Sequence, residues 1–153
     1  MIRVEELLFH PKLLEIMPKQ FLLKSEQQSI DFVKSFVPNL KAGDIITLTG
    51  DLGSGKTFIC REIIRHFCGS STKVSSPTFN ILKTYQSSHF TIYHFDLYRL
   101  KSKEEIYELG MEEAFSNGLS LIEWPEIITH LLPSDIIDLR IQVINKNTRL
   151  ILV

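Results

Sequence analysis

Gly50, Asp51, Leu52, Gly53, Ser54, Gly55, Lys56 and Thr57 run in the order glycine, four residues, glycine, lysine, threonine. That spacing lets backbone N–H groups encircle phosphate oxygens. The cradle needs side chains out of the way and some positive φ angles, hence Gly50, Gly53 and Gly55. A helix opening beside Gly55 adds unpaired N–H groups and the positive end of its dipole. Lys56 then reaches the β and γ phosphates, and the Thr57 hydroxyl coordinates magnesium. Four such fixed positions arise by chance in a chain this long about once in 200. The bland alternative is a glycine-rich turn that merely caps a helix; it is disfavoured because the match follows a strand-like run and opens a helical one.

Hydrolysis of a bound nucleotide also needs a metal held in place and a water aligned with the γ phosphate. Asp96 ends the run Phe90 to Phe95, where it either binds magnesium, directly or through water, or caps a turn. Glu123 ends Leu119 to Ile122 and either joins the metal shell, orients the water, or is a surface glutamate. Both acids converge on the loop if their strands are parallel, because ligands gather beyond the carboxyl ends of such strands. Within Ser75 to Phe79, Thr78 either senses the γ phosphate or metal or belongs to an ordinary Ser and Pro turn. Trp124 either stacks on a ligand or packs in the core. Arg99 is a surface ion-pair partner or a charge aimed at the site. His66 and His94 lack metal-ligand spacing and read as structural.

The elements that must position these residues follow from periodicity. Val4 to Met17 has the spacing of a short amphipathic helix, weakened by Pro11. Phe21 to Leu23 predicts a strand, and Ser25 with Gln28 a capping box opening a helix to about Phe36, with Ile30, Val33 and Val37 buried. Asp44 to Thr49 predicts a buried strand and Thr57 to Phe67 a helix. Phe79 to Tyr85 and Phe90 to Phe95 read as a hairpin around Gln86 to His89. Ser102 and Glu105 predict a second capping box, with a helix to Leu109 that Gly110 terminates. Leu119 to Ile122 follows as a short apolar run, then Pro125 as a helix start. Ile136 to Ile144 and Thr148 to Val153 alternate as a closing hairpin. The fold class expected is α/β, a P-loop NTPase-like mixed sheet with a parallel centre, antiparallel margins and flanking helices.

The 153 residues suit one domain, taken as residues 21–153 after an extension of residues 1–20. A hydrophobic fraction of 44% and a charged fraction of 23% exclude disordered, collagen-like and coiled-coil classes. A net charge of -1 gives no global attraction to nucleic acid, so any RNA is met locally or through a partner. Cys60 and Cys68 lie roughly 12 Å apart along one predicted helix, too far to bridge, and suit a reduced, cytoplasmic protein. No apolar run is long enough to span a membrane, and the charged N-terminus is not a signal peptide.

The ordered set Gly50 to Thr57, Ser76 to Phe79, His94 to Leu100 (His, Phe, Asp, Leu, Tyr, Arg, Leu) and Ile122 to Pro125 (Ile, Glu, Trp, Pro) resembles the bacterial TsaE family. That family comprises small ATPases that assist threonylcarbamoyl modification of adenosine 37 in tRNA. The resemblance covers about Leu22 to Val153. It implies ATP contacts at Gly53, Ser54, Gly55, Lys56, Thr57 and Phe58, magnesium ligation by Thr57 and Glu123, and a catalytic or metal-organising role for Asp96. It also implies nucleotide contacts from Glu26 or Ser29 and from Arg149. The implied partners are TsaD, which transfers the threonylcarbamoyl group, and its paralogue TsaB, with tRNA reached indirectly and ATP turnover resetting the complex. Ser54 and Phe58 depart from the alanine and threonine usual in the family, and neither removes a ligand. Residues 1–20 have no place on the pattern; they bind a partner or cover an edge strand, and self-association stays open.

Two other functions compete. A small-molecule kinase needs an arginine-lined acceptor pocket and a lid, whereas the basic residues between Thr57 and Glu123 are dispersed. A nucleotide-gated binding subunit would use ATP to order Ser75 to Phe79, with incidental hydrolysis. A GTPase is disfavoured: Asn145, Lys146, Asn147, Thr148 lacks the aspartate that reads guanine and suits a hairpin turn.

Overall fold

The computed structural model describes residues 19–153; the helix expected over Val4 to Met17 lies outside them. Strand β1 (Gln20–Leu23) leads into helix α1 (Glu26–Phe36), strand β2 (Ile45–Thr49) and helix α2 (Lys56–Cys68). The hairpin β3 (Leu82–Gln86) and β4 (Thr91–Asp96) follows, then helices α3 (Lys103–Tyr107) and α4 (Met111–Asn117), strand β5 (Gly118–Glu123), and the hairpin β6 (Ile137–Asn145) and β7 (Thr148–Leu152). Short 3-10 helices occupy Val37–Asn39 and Pro125–Leu131.

The strands form one sheet in the order β1-β7-β6-β2-β5-β4-β3. Its centre is parallel: β2 pairs with β5 and β6, and β4 with β5. The margins β1–β7, β6–β7 and β3–β4 are antiparallel. This is the mixed sheet expected from the order of elements. All six residues of β5 are buried, as a central parallel strand covered on both faces requires.

Alternation along the strands sorts the core into two layers. Ile46, Leu48, Ile92, Leu119, Leu121 and Leu139 face the layer of α1 and α2, where they meet Val33, Ile59, Ile63 and Ile64. Ile45, Phe95 and Ile122 face the other way, onto Ile106, Met111, Ala114 and Ile128. Each fully buried aliphatic side chain contributes about 1.5–3 kcal/mol, so α2 is held down firmly along its inner face. That matters because the loop ahead of α2 must be rigid.

Helix α1 starts as predicted: the Gln28 amide donates to Ser25 Oγ at 3.2 Å, and the Gln28 side chain accepts from the Lys24 amide at 2.8 Å. Its deeply buried residues are Phe32 and Val33, with Ile30 only half-buried. Three local expectations are corrected. Strand β3 begins at Leu82, because Thr78 to Asn80 form a turn and Ile81 takes a φ of 65°. The Ser102 hydroxyl makes no capping bond to described residues, and α3 ends at Tyr107. Gly110, at φ 67°, does not terminate a helix there but reverses the chain into α4, which the sequence reading lacked.

Gly118 begins β5 where α4 turns directly into the sheet. A Cβ there would lie 2.5 Å from the Thr91 carbonyl oxygen and 2.5 Å from the Tyr93 ring. Gly118→Ala is therefore expected to cost about 1–3 kcal/mol by overpacking. A lowered midpoint in chemical denaturation checks this; an unchanged midpoint would mean that the β4–β5 contact yields freely.

Candidate functional site

The loop joining β2 to α2 is the densest concentration of positive-φ backbone among the described residues. Gly50, Gly53 and Gly55 all have positive φ (149°, 77° and 112°). Gly50 is fixed twice over, since a Cβ would come 2.5 Å from the Ile141 carbonyl oxygen and 2.7 Å from Ser54 Oγ. Gly55 is the N-cap of α2 in left-handed conformation, and the first turn of that helix carries no acidic side chain. Its N-terminal N–H groups are thus left for an external anion.

Strand register then brings the acids to the loop. Asp96 pairs with Glu123 across β4–β5, and Glu123 pairs with Leu48 across β2–β5, one residue before the loop's approach at Thr49. The carboxyl ends of three parallel strands therefore carry the loop, Asp96 and Glu123 side by side. The parallel arrangement on which their convergence depended is present.

Lys56 is 5% exposed, with Nζ donating to the carbonyls of Gly50 at 2.6 Å and Asp51 at 2.9 Å. The ammonium also lies 4.1 Å from the Trp124 ring centroid. Burial lowers its pKa, while Glu123, Asp96, Glu126 and Asp51 oppose that shift by stabilising the charge. The Thr57 hydroxyl donates to Glu123 at 2.9 Å (Oε1) and 3.0 Å (Oε2). Asp96 Oδ2 accepts from Thr78 Oγ1 at 2.8 Å and Ser76 Oγ at 3.1 Å, while Oδ1 accepts from the Tyr98 amide. Thr78 is thus tied to the acid pair. Glu123, at 2% exposure, is no surface glutamate.

Gly53, Gly55, Lys56, Thr57, Thr78, Asp96, Glu123 and Trp124 line one cavity of about 220 Å³ together with Leu52, Phe58 and Ser76. Trp124 is half-buried at φ 57°, between Lys56 and Tyr98, whose ring centroid is 4.7 Å away. A second cavity of about 520 Å³ shares part of its lining with the first. It collects Glu26, Ser29 and Arg149 with Ser54, Gly55 and Phe58, so Gly55 and Phe58 line both spaces. Arg149 Nε donates to the Ser54 carbonyl at 3.0 Å and fastens the last hairpin to the loop. The three flanking residues, remote in sequence, thereby reach the loop. Arg99 stacks over Phe79 at 4.2 Å, and among the described residues it forms no ion pair and no hydrogen bond to Asp96 or Glu123.

The donor set fits the groups expected. Thr57, Asp96 and Glu123 offer the oxygen ligands preferred by a hard divalent cation such as magnesium, and the glycine loop with Lys56 offers N–H groups and a cation to a polyphosphate. His94, read from sequence as merely structural, lies inside this network: Nε2 is 2.8 Å from Glu123 Oε1. Spacing carried that signal, because residues 94 and 96 of a strand share a face. Cys60 completes a group with His94 and Glu123 whose ligand-type atoms lie within 4.8 Å. Burial pushes the Cys60 thiol well up in pKa, helped by the nearby Glu123 and Asp96 charges. His66 is exposed and apart from the site. No helix among the described residues is long and apolar enough to cross a membrane.

Known proteins resemble this chain in sequence and in fold. The family model for threonylcarbamoyl adenosine biosynthesis protein TsaE matches residues 23–151. A tRNA threonylcarbamoyladenosine biosynthesis protein TsaE of Rickettsia bellii is 55% identical over 137 residues, covering 90% of this chain and 95% of its own. The protein of the same name in Bacillus subtilis is 38% identical over 107 residues, 69% of this chain and 63% of its own. The crystal structure of Bacillus subtilis YdiB superposes with a TM-score of 0.71 at 28% identity, covering 90% of this chain and 86% of that one.

Proposed function

The chain belongs to the TsaE family of tRNA threonylcarbamoyladenosine biosynthesis, and on that premise we propose that it binds ATP with magnesium at the Gly50–Thr57 loop and hydrolyses it in support of the modification. One observation carries the reading: Lys56, Thr57, Asp96 and Glu123 converge on a single cavity at the carboxyl ends of parallel strands.

The loop N–H groups and the start of α2 hold the phosphates in place. Lys56 exchanges its two loop carbonyls for phosphoryl oxygens, a stronger charge-assisted pairing. Magnesium held by Thr57, Glu123 and Asp96 supplies neutralisation of phosphoryl charge. Asp96 and Glu123 also orient the attacking water by accepting hydrogen bonds from it. Trp124, packed against Tyr98, lines this end of the cavity, while Glu26, Ser29 and Arg149 border the space for the rest of the nucleotide.

The partners proposed are TsaD and TsaB. Phe79, 80% exposed, and Leu52, 79% exposed, flank the phosphate cavity and leave apolar surface where a partner can sense its contents. The net charge of -1 supports contact with tRNA through those partners rather than directly. In the test, ATP hydrolysis is measured with and without purified TsaD and TsaB. Slow turnover alone and faster turnover with both is expected; equal rates would favour nucleotide-gated binding with incidental hydrolysis.

A further inference from the structure

His94 projects from β4 into the layer beneath α2, which Ile92, Leu119, Leu121, Ile59 and Ile63 otherwise make apolar. A polar ring in such a layer is costly unless it is paired. One side of the ring is paired: Nε2 lies 2.8 Å from Glu123 Oε1, with His94 fully buried and Glu123 2% exposed. The other is not, since Nδ1 has no hydrogen-bond partner among the described residues. With the carboxylate as acceptor, the ring proton belongs on Nε2 and Nδ1 keeps a bare lone pair. An apolar side chain would fill the space without stranding that nitrogen. What histidine adds is one N–H directed at one oxygen of Glu123.

Glu123 needs such a constraint because its long side chain must present a carboxylate in one orientation at the cavity. Thr57 bridges both oxygens, at 2.9 and 3.0 Å, and so does not distinguish them. His94 does: it engages Oε1 alone. We propose that His94 is the positioning residue for Glu123, holding Oε1 through its ring N–H so that Oε2, whose only hydrogen bond among the described residues is from the Thr57 hydroxyl, is the oxygen turned to a ligand in the cavity. This rests on the reading of Glu123 as a magnesium ligand given above. Substituting a residue that orients a metal ligand from behind typically costs about 10- to 100-fold in metal affinity or activity.

The test measures ATP affinity in EDTA and in magnesium, alongside hydrolysis, for the unsubstituted protein, His94→Leu, His94→Gln, Glu123→Gln and the double variant His94→Leu/Glu123→Gln. His94→Leu should leave affinity in EDTA within about twofold and lose about tenfold or more of the gain that magnesium confers. His94→Gln, which can place an amide N–H near the Nε2 position, should recover much of that gain. Adding His94→Leu to Glu123→Gln should cost nothing further, because the two act as one unit. His94→Asn, whose amide falls short of the carboxylate, serves as the loss variant if His94→Leu does not fold. A magnesium gain equal in His94→Leu and the unsubstituted protein overturns the proposal. So does a loss that glutamine does not relieve, one undiminished beside Glu123→Gln, or the absence of any magnesium gain in the unsubstituted protein. If magnesium strengthens binding but no hydrolysis occurs, the proposed reaction fails while the affinity series still decides the role of His94.

Discussion

Lys56→Ala is expected to lower MgATP affinity and turnover by about 100- to 1,000-fold, the cost of removing one preorganised donor from a developing anionic site. The size follows from where the ammonium stands. It is almost entirely withdrawn from water, which lowers its pKa, held by two loop carbonyls and the Trp124 face, and near carboxylates that oppose the loss of its charge. Its desolvation is already met by the fold, so little reorganisation stands between the resting arrangement and phosphate contact. The structural cost of the same substitution should be far smaller. The carbonyls it leaves, on Gly50 and exposed Asp51, can be hydrated, which limits the loss to about 1 kcal/mol. Calorimetric titration with MgATP, paired with a denaturation curve, separates the two effects. Retained affinity in a folded Lys56→Ala protein would remove the loop from the account.

Glu123→Gln should instead separate binding from reaction. The amide preserves volume but loses the charge on which the Thr57 and His94 hydrogen bonds converge. Turnover should fall by on the order of 100-fold, as expected when a metal-organising charge worth several kcal/mol is lost. ATP affinity without magnesium should change little, because the loop N–H groups and Lys56 remain. Single-turnover hydrolysis checks this with binding measured in parallel. Unchanged turnover would reassign Glu123 to packing and leave Asp96 as the sole acidic contributor.

Much of this was legible from short-range pattern. The phosphate loop is contiguous, and its glycines announce the positive φ angles later found at Gly50, Gly53 and Gly55. Asp96 and Glu123 were legible because each ends an apolar run, and parallel pairing of β4, β5 and β2 turns sequence ends into neighbours. What escaped was decided by contacts between distant segments. His94 looks inert until β5 places Glu123 diagonally across from it. Helix α4 was hidden because Gly110 serves as well to start a helix as to end one. Phe79 has a strand-forming side chain, yet the turn set by Pro77 and the tie from Thr78 to Asp96 keep it outside β3 and largely exposed. Glu26, Ser29 and Arg149 came from family resemblance alone. No local spacing links them, and only the pairing of β1 with β7 and the Arg149 bond to Ser54 carry them to one cavity.

The central claim is that one loop holds MgATP, and calorimetric titration of MgATP into the unsubstituted protein and Lys56→Ala tests it most directly. Saturable binding at one site per chain, lost or weakened by about 100-fold or more in Lys56→Ala, is the predicted result. No binding by the unsubstituted protein, or equal binding by both, would contradict it.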